Sequence, residues 1–155
     1  MSQTAPTGSS SGRARVSGYA VVFDSLSEDL GGYRERVMPG AFQDTLKRRP
    51  DVRFLTNHQG LPLARVSNGT LALAEDTHGL RFIAELADTQ EGRDLLTLIR
   101  AGDVSQMSFA FRLDGGDEWS NTAAGLVSTI NRVSDLYEIS AVGIPAYGET
   151  EVSAA

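Results

Sequence analysis

The sequence of 155 residues contains no cysteine. Its absence excludes a thiol nucleophile, a disulfide framework and a cysteine-ligated zinc site, and it is compatible with a reducing compartment. Basic residues are also few: 14 Lys and Arg against 20 Asp and Glu give a formal net charge of -6, and no basic cluster interrupts this acidity. Nucleic acid and anionic membranes are therefore not expected as partners.

Long apolar runs are missing as well. No stretch approaches the length of a transmembrane helix, and the N-terminus lacks the basic-then-apolar order of a signal peptide. The remaining composition, 41% hydrophobic and 22% charged, is typical of one globular domain. We expect a flexible tail over residues 1–12, rich in Ser, Thr, Gly and Pro, a folded domain over residues 13–150 and a frayed C-terminus over residues 151–155.

Alternating apolar and polar residues indicate a strand-rich chain. The segments that predict strands are residues 14–23, 52–56, 61–66, 70–75, 80–86, 107–113, 126–132 and 133–142. Residues 43–49 and 89–101 predict two short helices, the second with a capping box at Asp88 and Glu91 and a stop at Gly102. Residues 24–36 predict a loop or a broken strand, and residues 119–125 predict a loop. The pattern favours a mainly β protein with helices (α+β), a closed or nearly closed β-barrel of about seven strands flanked by helices.

One predicted strand carries a candidate nucleophile. Met107, Phe109 and Phe111 would lie on one face. Ser108 would share the other face with Ala110 and Arg112. Ser108 therefore lies on a face of small residues, where a rigid strand holds its hydroxyl and leaves space above it for a substrate chain. The alternative is that Ser108 is merely small because the sheet is crowded at this point.

Two further residues complete a possible acyl-transfer unit. His58 follows a predicted strand, and Glu138 lies among apolar neighbours on a face predicted to include Leu136 and Ser140. A serine hydroxyl is a weak nucleophile until a neutral imidazole accepts its proton, and a third group can fix the imidazole tautomer. Each residue also has a purely structural interpretation, as a surface histidine or as a glutamate on an exposed strand.

Competing sites remain open at this level. Ser105 and Ser140 are alternative nucleophiles that the pattern does not exclude. His58, His78 and Asp76 have no recognised metal-ligand spacing, and His78 falls in a predicted turn. We therefore expect no metal and no cofactor.

Six segments in order resemble a known family. They are residues 18–23 (GYAVVF), 35–42 (ERVMPGAF), 57–58 (NH), 102–111 (GDVSQMSFAF), 136–140 (LYEIS) and 145–147 (PAY). In this order they resemble the caudovirus prohead proteases, the capsid maturation proteases related to the herpesvirus assemblins. The resemblance covers about residues 18–150.

The resemblance implies a serine endopeptidase on a herpesvirus-protease-like β-barrel. It would cleave the scaffold protein, the scaffold-like segment of the major capsid protein or itself, inside the assembling procapsid in the bacterial host cytoplasm. It maps the base to His58, the nucleophile to Ser108 and the third member to Glu138, and it implies a homodimer.

The oxyanion donors do not follow from the resemblance. Assemblins use an arginine pair after the third residue, but this chain has no arginine beyond Arg132. Backbone amides, or a water held by Arg132 or Arg112, are the candidates. Two other functions stay open: a non-catalytic β-barrel module that binds scaffold or capsid protein, and a hydrolase of small esters.

Overall fold

The computed structural model describes residues 13–155, so the predicted flexible tail lies outside the described residues. Within them the chain forms eleven strands, two α-helices and a 3-10 turn at Val66–Asn68. In chain order the elements are β1 (Ala14–Val22), β2 (Arg34–Val37), α1 (Gln43–Lys47), β3 (Arg53–Thr56), β4 (Gln59–Arg65), β5 (Leu71–Glu75), β6 (Gly79–Leu86), α2 (Gln90–Ala101), β7 (Gln106–Arg112), β8 (Asp117–Thr122), β9 (Gly125–Ile130), β10 (Asp135–Val142) and β11 (Glu151–Ala154). Neither helix of this part of the chain is long and apolar enough to cross a membrane.

The strands form three sheets. One four-stranded sheet has the order β11-β1-β6-β5, a second has the order β4-β3-β10-β7, and a three-stranded sheet has the order β2-β9-β8. The two larger sheets share one core, in which the Phe54 and Phe82 rings lie 5.7 Å apart between centroids. The mainly β, α+β class predicted from the sequence is therefore confirmed.

The predicted closed barrel is wrong, because no sheet closes on itself. The two larger sheets approach each other at two places, one between the edge strands β11 and β7 and one between the edge strand β4 and the end of the interior strand β6. At one, the Val152 amide donates to the Ser105 carbonyl at 3.0 Å, and at the other the Ala87 amide donates to the Leu63 carbonyl at 2.8 Å. These are isolated hydrogen bonds and not ladders, whereas closure needs continuous strand pairing. Alternation along single strands predicts their faces but cannot predict whether two edges will pair.

Two predictions about irregular segments are also wrong. Residues 119–125, expected to be a loop, contribute to β8 and its turn into β9, an exposed hairpin with little of the apolar signal that marks buried strands. Residues 151–155, expected to fray, contain β11, which pairs antiparallel with β1. Val152 is buried there, so this short strand is fixed to the core.

The predicted second helix is confirmed, but its cap differs. Thr89 is the N-cap, and its side-chain oxygen accepts from the Gly92 amide at 3.1 Å. Asp88, predicted to cap, instead pairs with Arg93 at 2.9 Å. Gly102 ends the helix in a left-handed conformation as expected.

A β-bulge in β10 changes the predicted faces of that strand. Pairing with β7 shifts by one residue between Leu136 and Glu138, which leaves Tyr137 as the extra residue. Leu136 therefore lies in the core, whereas Glu138 and Ser140 lie on the opposite face, and the prediction that all three share a face is wrong. Bulges re-aim side chains and are common next to active sites.

Gly18 allows β1 and β11 to lie close together. A Cβ at this position would meet the Glu151 carbonyl oxygen at 1.9 Å, inside any permitted contact. We predict that Gly18→Ala lowers the free energy of unfolding by about 1–3 kcal/mol, because backbone must shift to relieve the overlap. Urea unfolding measures this change in the free energy of unfolding. Gly148→Ala is the control, since a Cβ there would meet nothing within 4 Å. Equal losses in the two variants would contradict the prediction.

Candidate active site

His58 lies in a tight turn and not at the start of a loop. Asn57 and His58 form the two-residue connection between β3 and β4, and both have left-handed backbones, with φ of 51° and 58°. Two consecutive left-handed residues are the signature of the type I′ hairpin turn, in which the sequence Asn-Gly is strongly preferred. A histidine there is strained, because a side chain in this conformation costs about 1–2 kcal/mol.

Three hydrogen bonds hold this turn against β10. The Asn57 amide donates to the Ala141 carbonyl at 2.9 Å, and the Asn57 side-chain oxygen accepts from the Gly143 amide at 3.1 Å. The His58 amide donates to the Ser140 hydroxyl oxygen at 3.0 Å. The strained turn is thus fixed by the strand that carries Glu138.

The His58 ring contacts the Glu138 carboxylate directly. Nδ1 of His58 and Oε1 of Glu138 form a short hydrogen bond between groups 80 residues apart in sequence. The His58 side chain is 40% exposed and that of Glu138 only 10%, so the carboxylate is covered while the ring reaches solvent. Because an ionised carboxylate can only accept, this contact favours the neutral tautomer that carries its proton on Nδ1, in which Nε2 is the acceptor.

Ser108 lies on the same sheet face as this pair. In the antiparallel pairing of β7 with β10 it is directly opposite Ser140, and Ala110 is opposite Glu138. Residues opposite each other in neighbouring strands project from the same face, so Ser108 shares a face with Ser140 and Glu138. Met107 and Phe109 are buried in the core, whereas Ser108 is half-buried. The predicted alternation of this strand is confirmed.

The two rival serines occupy different environments. Ser140 has no exposed surface, and its hydroxyl donates to Oε2 of Glu138 at 2.6 Å. Ser105 is exposed and precedes β7, where its carbonyl accepts from the Val152 amide. Ser140 is therefore already bonded within the sheet, and Ser105 lies outside the strand that carries Ser108.

Both arginines considered for the oxyanion lie at the other end of β7. Arg112 pairs with Asp135 at 2.9 Å, and Arg132 donates to the Asp114 carbonyl at 3.3 Å. They line a polar cavity together with Arg48 and neighbouring aspartates. Arg112 lies four positions along the strand from Ser108, which corresponds to about 13 Å. The structure therefore does not bring these guanidinium groups to the His58–Glu138 pair.

His78 and Asp76 lie in the turn between β5 and β6. The His78 ring packs edge-on against Tyr19, with 4.5 Å between centroids, and Asp76 accepts from the Tyr19 hydroxyl at 2.6 Å. His58 contacts Glu138 instead. Among residues 13–155, no three His, Asp or Glu side chains are grouped so that they could hold a metal ion.

Sequence reasoning missed two contributions to the site. Asn57 helps hold the turn, but Asn-His lacks the glycine that usually marks a type I′ hairpin. Ser140 was considered only as a nucleophile. Its spacing of two residues from Glu138 places both side chains on one strand face, and this was the available signal.

The structure thus shows an imidazole bonded to a carboxylate, and a serine on the same sheet face as that carboxylate. Serine hydrolases are recognised by such residue types and their geometry, whatever their order in the chain. Here these residues are carried by a mainly β fold. The family model of the caudovirus prohead serine proteases matches residues 3–155, so the chain belongs to that family. It is a serine endopeptidase of phage capsid maturation. A search of curated proteins gives no match.

A buried acid and phenol support β7 from behind. The Tyr147 hydroxyl donates to Oε1 of Glu35 at 2.7 Å, and the Tyr147 ring packs near the Phe109 ring, with 6.3 Å between centroids. Burial raises the pKa of Glu35, and the hydrogen bond from Tyr147 partly opposes that rise. Burial, followed by the charge of Glu35, raises the pKa of Tyr147 as well, so its hydroxyl remains the donor.

This pair predicts a pH-dependent cost for Tyr147→Phe. Because the folded-state pKa of Glu35 lies above the unfolded value, stability falls as pH rises from the unfolded pKa through the folded one, and losing the Tyr147 donor deepens that fall. We expect a loss of about 1.5–3 kcal/mol at pH 7, since the bond is to a charged group. The loss should be smaller near pH 4, which lies below the raised pKa of Glu35, because its carboxyl is mostly protonated there and accepts a weaker hydrogen bond.

Urea unfolding of wild type and variant at both pH values measures this difference. Tyr19→Phe is the matched control, because Tyr19 also donates to a carboxylate, that of Asp76, but at an exposed position. We expect a smaller change for it at both pH values. A Tyr147→Phe loss that is equal at the two pH values, or smaller at pH 7, would show that the variant loses packing only.

Proposed function

We propose that this endopeptidase cleaves the scaffold protein, or the scaffold-like segment of the major capsid protein, with Ser108 as nucleophile, His58 as base and Glu138 as the group that orients His58. The observation that carries the proposal is the contact of His58 Nδ1 with Glu138 beside the sheet face of Ser108. Membership of the family supports a capsid or scaffold protein as substrate. The enzyme can also act on itself.

The geometry supports a two-step acyl transfer. Ser108 Oγ attacks the peptide carbonyl carbon while Nε2 of His58 takes the hydroxyl proton, and Glu138 stabilises the resulting imidazolium without accepting that proton. The C–N bond then breaks, and His58 gives the proton to the leaving amine. Water attacks the acyl ester in the second step, His58 takes its proton, and that proton returns to Ser108 Oγ as the new carboxyl product leaves.

The oxyanion is assigned in this proposal to backbone N–H groups near Ser108. Arg112 and Arg132 were the side-chain candidates, but their guanidinium groups are engaged at the far end of β7. Backbone amides are fixed by the strand and need no rearrangement as charge develops, which is the property that makes oxyanion donors effective.

The setting follows from the family. A prohead protease acts in the procapsid interior, and we place that procapsid in the cytoplasm of the bacterial host. We also propose the relationship to the herpesvirus assemblins, and from that relationship alone a homodimer.

The homodimer predicts a concentration-dependent species of twice the 16.6 kDa monomer mass. Sedimentation velocity across a hundredfold range of protein concentration measures it. A single monomer boundary over the whole range would contradict the homodimer and leave the peptidase assignment unaffected.

The assignment of the nucleophile predicts a large effect of Ser108→Ala. Removing a triad nucleophile costs about four to six orders of magnitude in turnover. The chain is incubated with a fluorophosphonate and, separately, with the capsid and scaffold proteins of the same phage. Intact mass reports the adduct, and mass spectrometry of new termini reports cleavage. We expect one adduct and cleavage for wild type, and neither for Ser108→Ala.

Ser105→Ala is the matched control, since Ser105 is an exposed serine three residues earlier. We expect it to label and cleave like wild type. If labelling survives in Ser108→Ala and is lost in Ser105→Ala, the nucleophile is misassigned. If wild type binds capsid protein but is neither labelled nor able to cleave, Ser108 is not an activated nucleophile and the site acts by binding. Labelling with turnover of simple esters alone would make it an esterase.

A further inference from the structure

We propose that Ser140 is a positioning residue of this site, which fixes Glu138 and the backbone of His58 in a single geometry. The inference rests on the proposed roles of His58 and Glu138 and adds a fourth residue to them. Ser140 touches neither substrate nor the reacting atoms, because it has no exposed surface.

Ser140 occupies the point where the segments of the site meet. On β10 it lies two residues after Glu138, it is directly opposite Ser108 in β7, and it pairs with Leu55 of the parallel strand β3 on its other side. Strand β3 leads straight into the turn that holds His58. A side chain at this position can therefore connect all three segments.

The Ser140 hydroxyl makes one bond as donor and one as acceptor. It donates to Oε2 of Glu138 at 2.6 Å and accepts from the His58 amide at 3.0 Å. The other carboxylate oxygen, Oε1, contacts Nδ1 of the His58 ring. The three bonds form a closed circuit. It runs from the backbone amide of His58 through the Ser140 hydroxyl and the Glu138 carboxylate to the ring of the same histidine.

This circuit restricts the side-chain rotation of Glu138 and the tilt of the His58 ring. A glutamate side chain rotates about three bonds, so a single contact at Oε1 would let the carboxylate swing and the imidazole tilt with it. Anchoring Oε2 removes that motion before substrate binds, which is the preorganisation that precise proton transfer needs. The same hydroxyl also holds the amide of a residue in a left-handed turn, which favours glycine and not histidine.

The test compares Ser140→Ala with Ser128→Ala. Ser128 is also buried, but it lies in β9 of the three-stranded sheet. An alkyl fluorophosphonate serves as probe: Ser108 Oγ bonds to phosphorus, fluoride leaves and His58 takes the hydroxyl proton. We expect Ser140→Ala to slow the maximal labelling rate about 10- to 100-fold, the cost of small misplacements, with little change in the probe's KI. Ser128→Ala should label at the wild-type rate.

A nuclear magnetic resonance measurement separates positioning from folding. The chain has two histidines, so His78→Gln leaves the ring nitrogens of His58 as the only imidazole signals. With neutral imidazole, we expect the Nδ1-protonated tautomer in the otherwise wild-type chain and a mixture of tautomers once Ser140→Ala is added. A serine that only fills space would leave this signature unchanged.

The outcomes are distinct. Wild-type labelling by a folded Ser140→Ala protein, with an unchanged tautomer, overturns the inference. If Ser140→Ala does not fold, Ser140→Cys replaces it, since a thiol has similar shape but is a weak donor, and the same two readouts decide. If the wild type is itself unlabelled, the proposed catalytic function fails, and the tautomer measurement still decides whether Ser140 positions His58.

Discussion

A carboxylate that is almost fully buried needs partners for both oxygens, and the Glu138 side chain is in that position. One oxygen contacts the His58 ring and the other accepts from Ser140. Desolvating an ionised carboxylate is costly unless hydrogen bonds replace the lost water, so these contacts are required by burial itself. The same requirement fixes the imidazole. The orientation of His58 is thus a consequence of how the fold satisfies one buried acid.

The mixed pairing of β10 makes this arrangement possible. Strand β3 runs parallel to it on one side and β7 runs antiparallel on the other. The turn after β3 therefore lies beside the C-terminal end of β10, while β7 presents Ser108 across from Ser140. The β3 turn, β7 and β10 are far apart in sequence but lie side by side here. Their relative positions are fixed because ladders of backbone hydrogen bonds join the strands. A site carried on strands is more precisely placed than one carried on loops.

Local pattern predicted much of this from the sequence and left the rest open for identifiable reasons. The alternation of β7 placed Ser108 on the face opposite Met107 and Phe109, since a strand's period follows from its backbone. The left-handed turn at His58 could not be read, because no glycine marks it and its stabilising bonds come from β10. Closure of the barrel was predicted wrongly, since it depends on pairing between edges distant in sequence.

The bulge at Tyr137 shows most clearly why face assignments along β10 needed the structure. A one-residue shift in register inverts every side chain beyond it. Without the extra residue, Leu136 and Glu138 would project from the same face, so either the leucine would leave the core or the glutamate would enter it. The bulge allows both to be placed correctly, and Tyr137, 49% exposed, occupies the irregular position. One extra residue in β10 thus lets Leu136 enter the core while Glu138 projects from the opposite face.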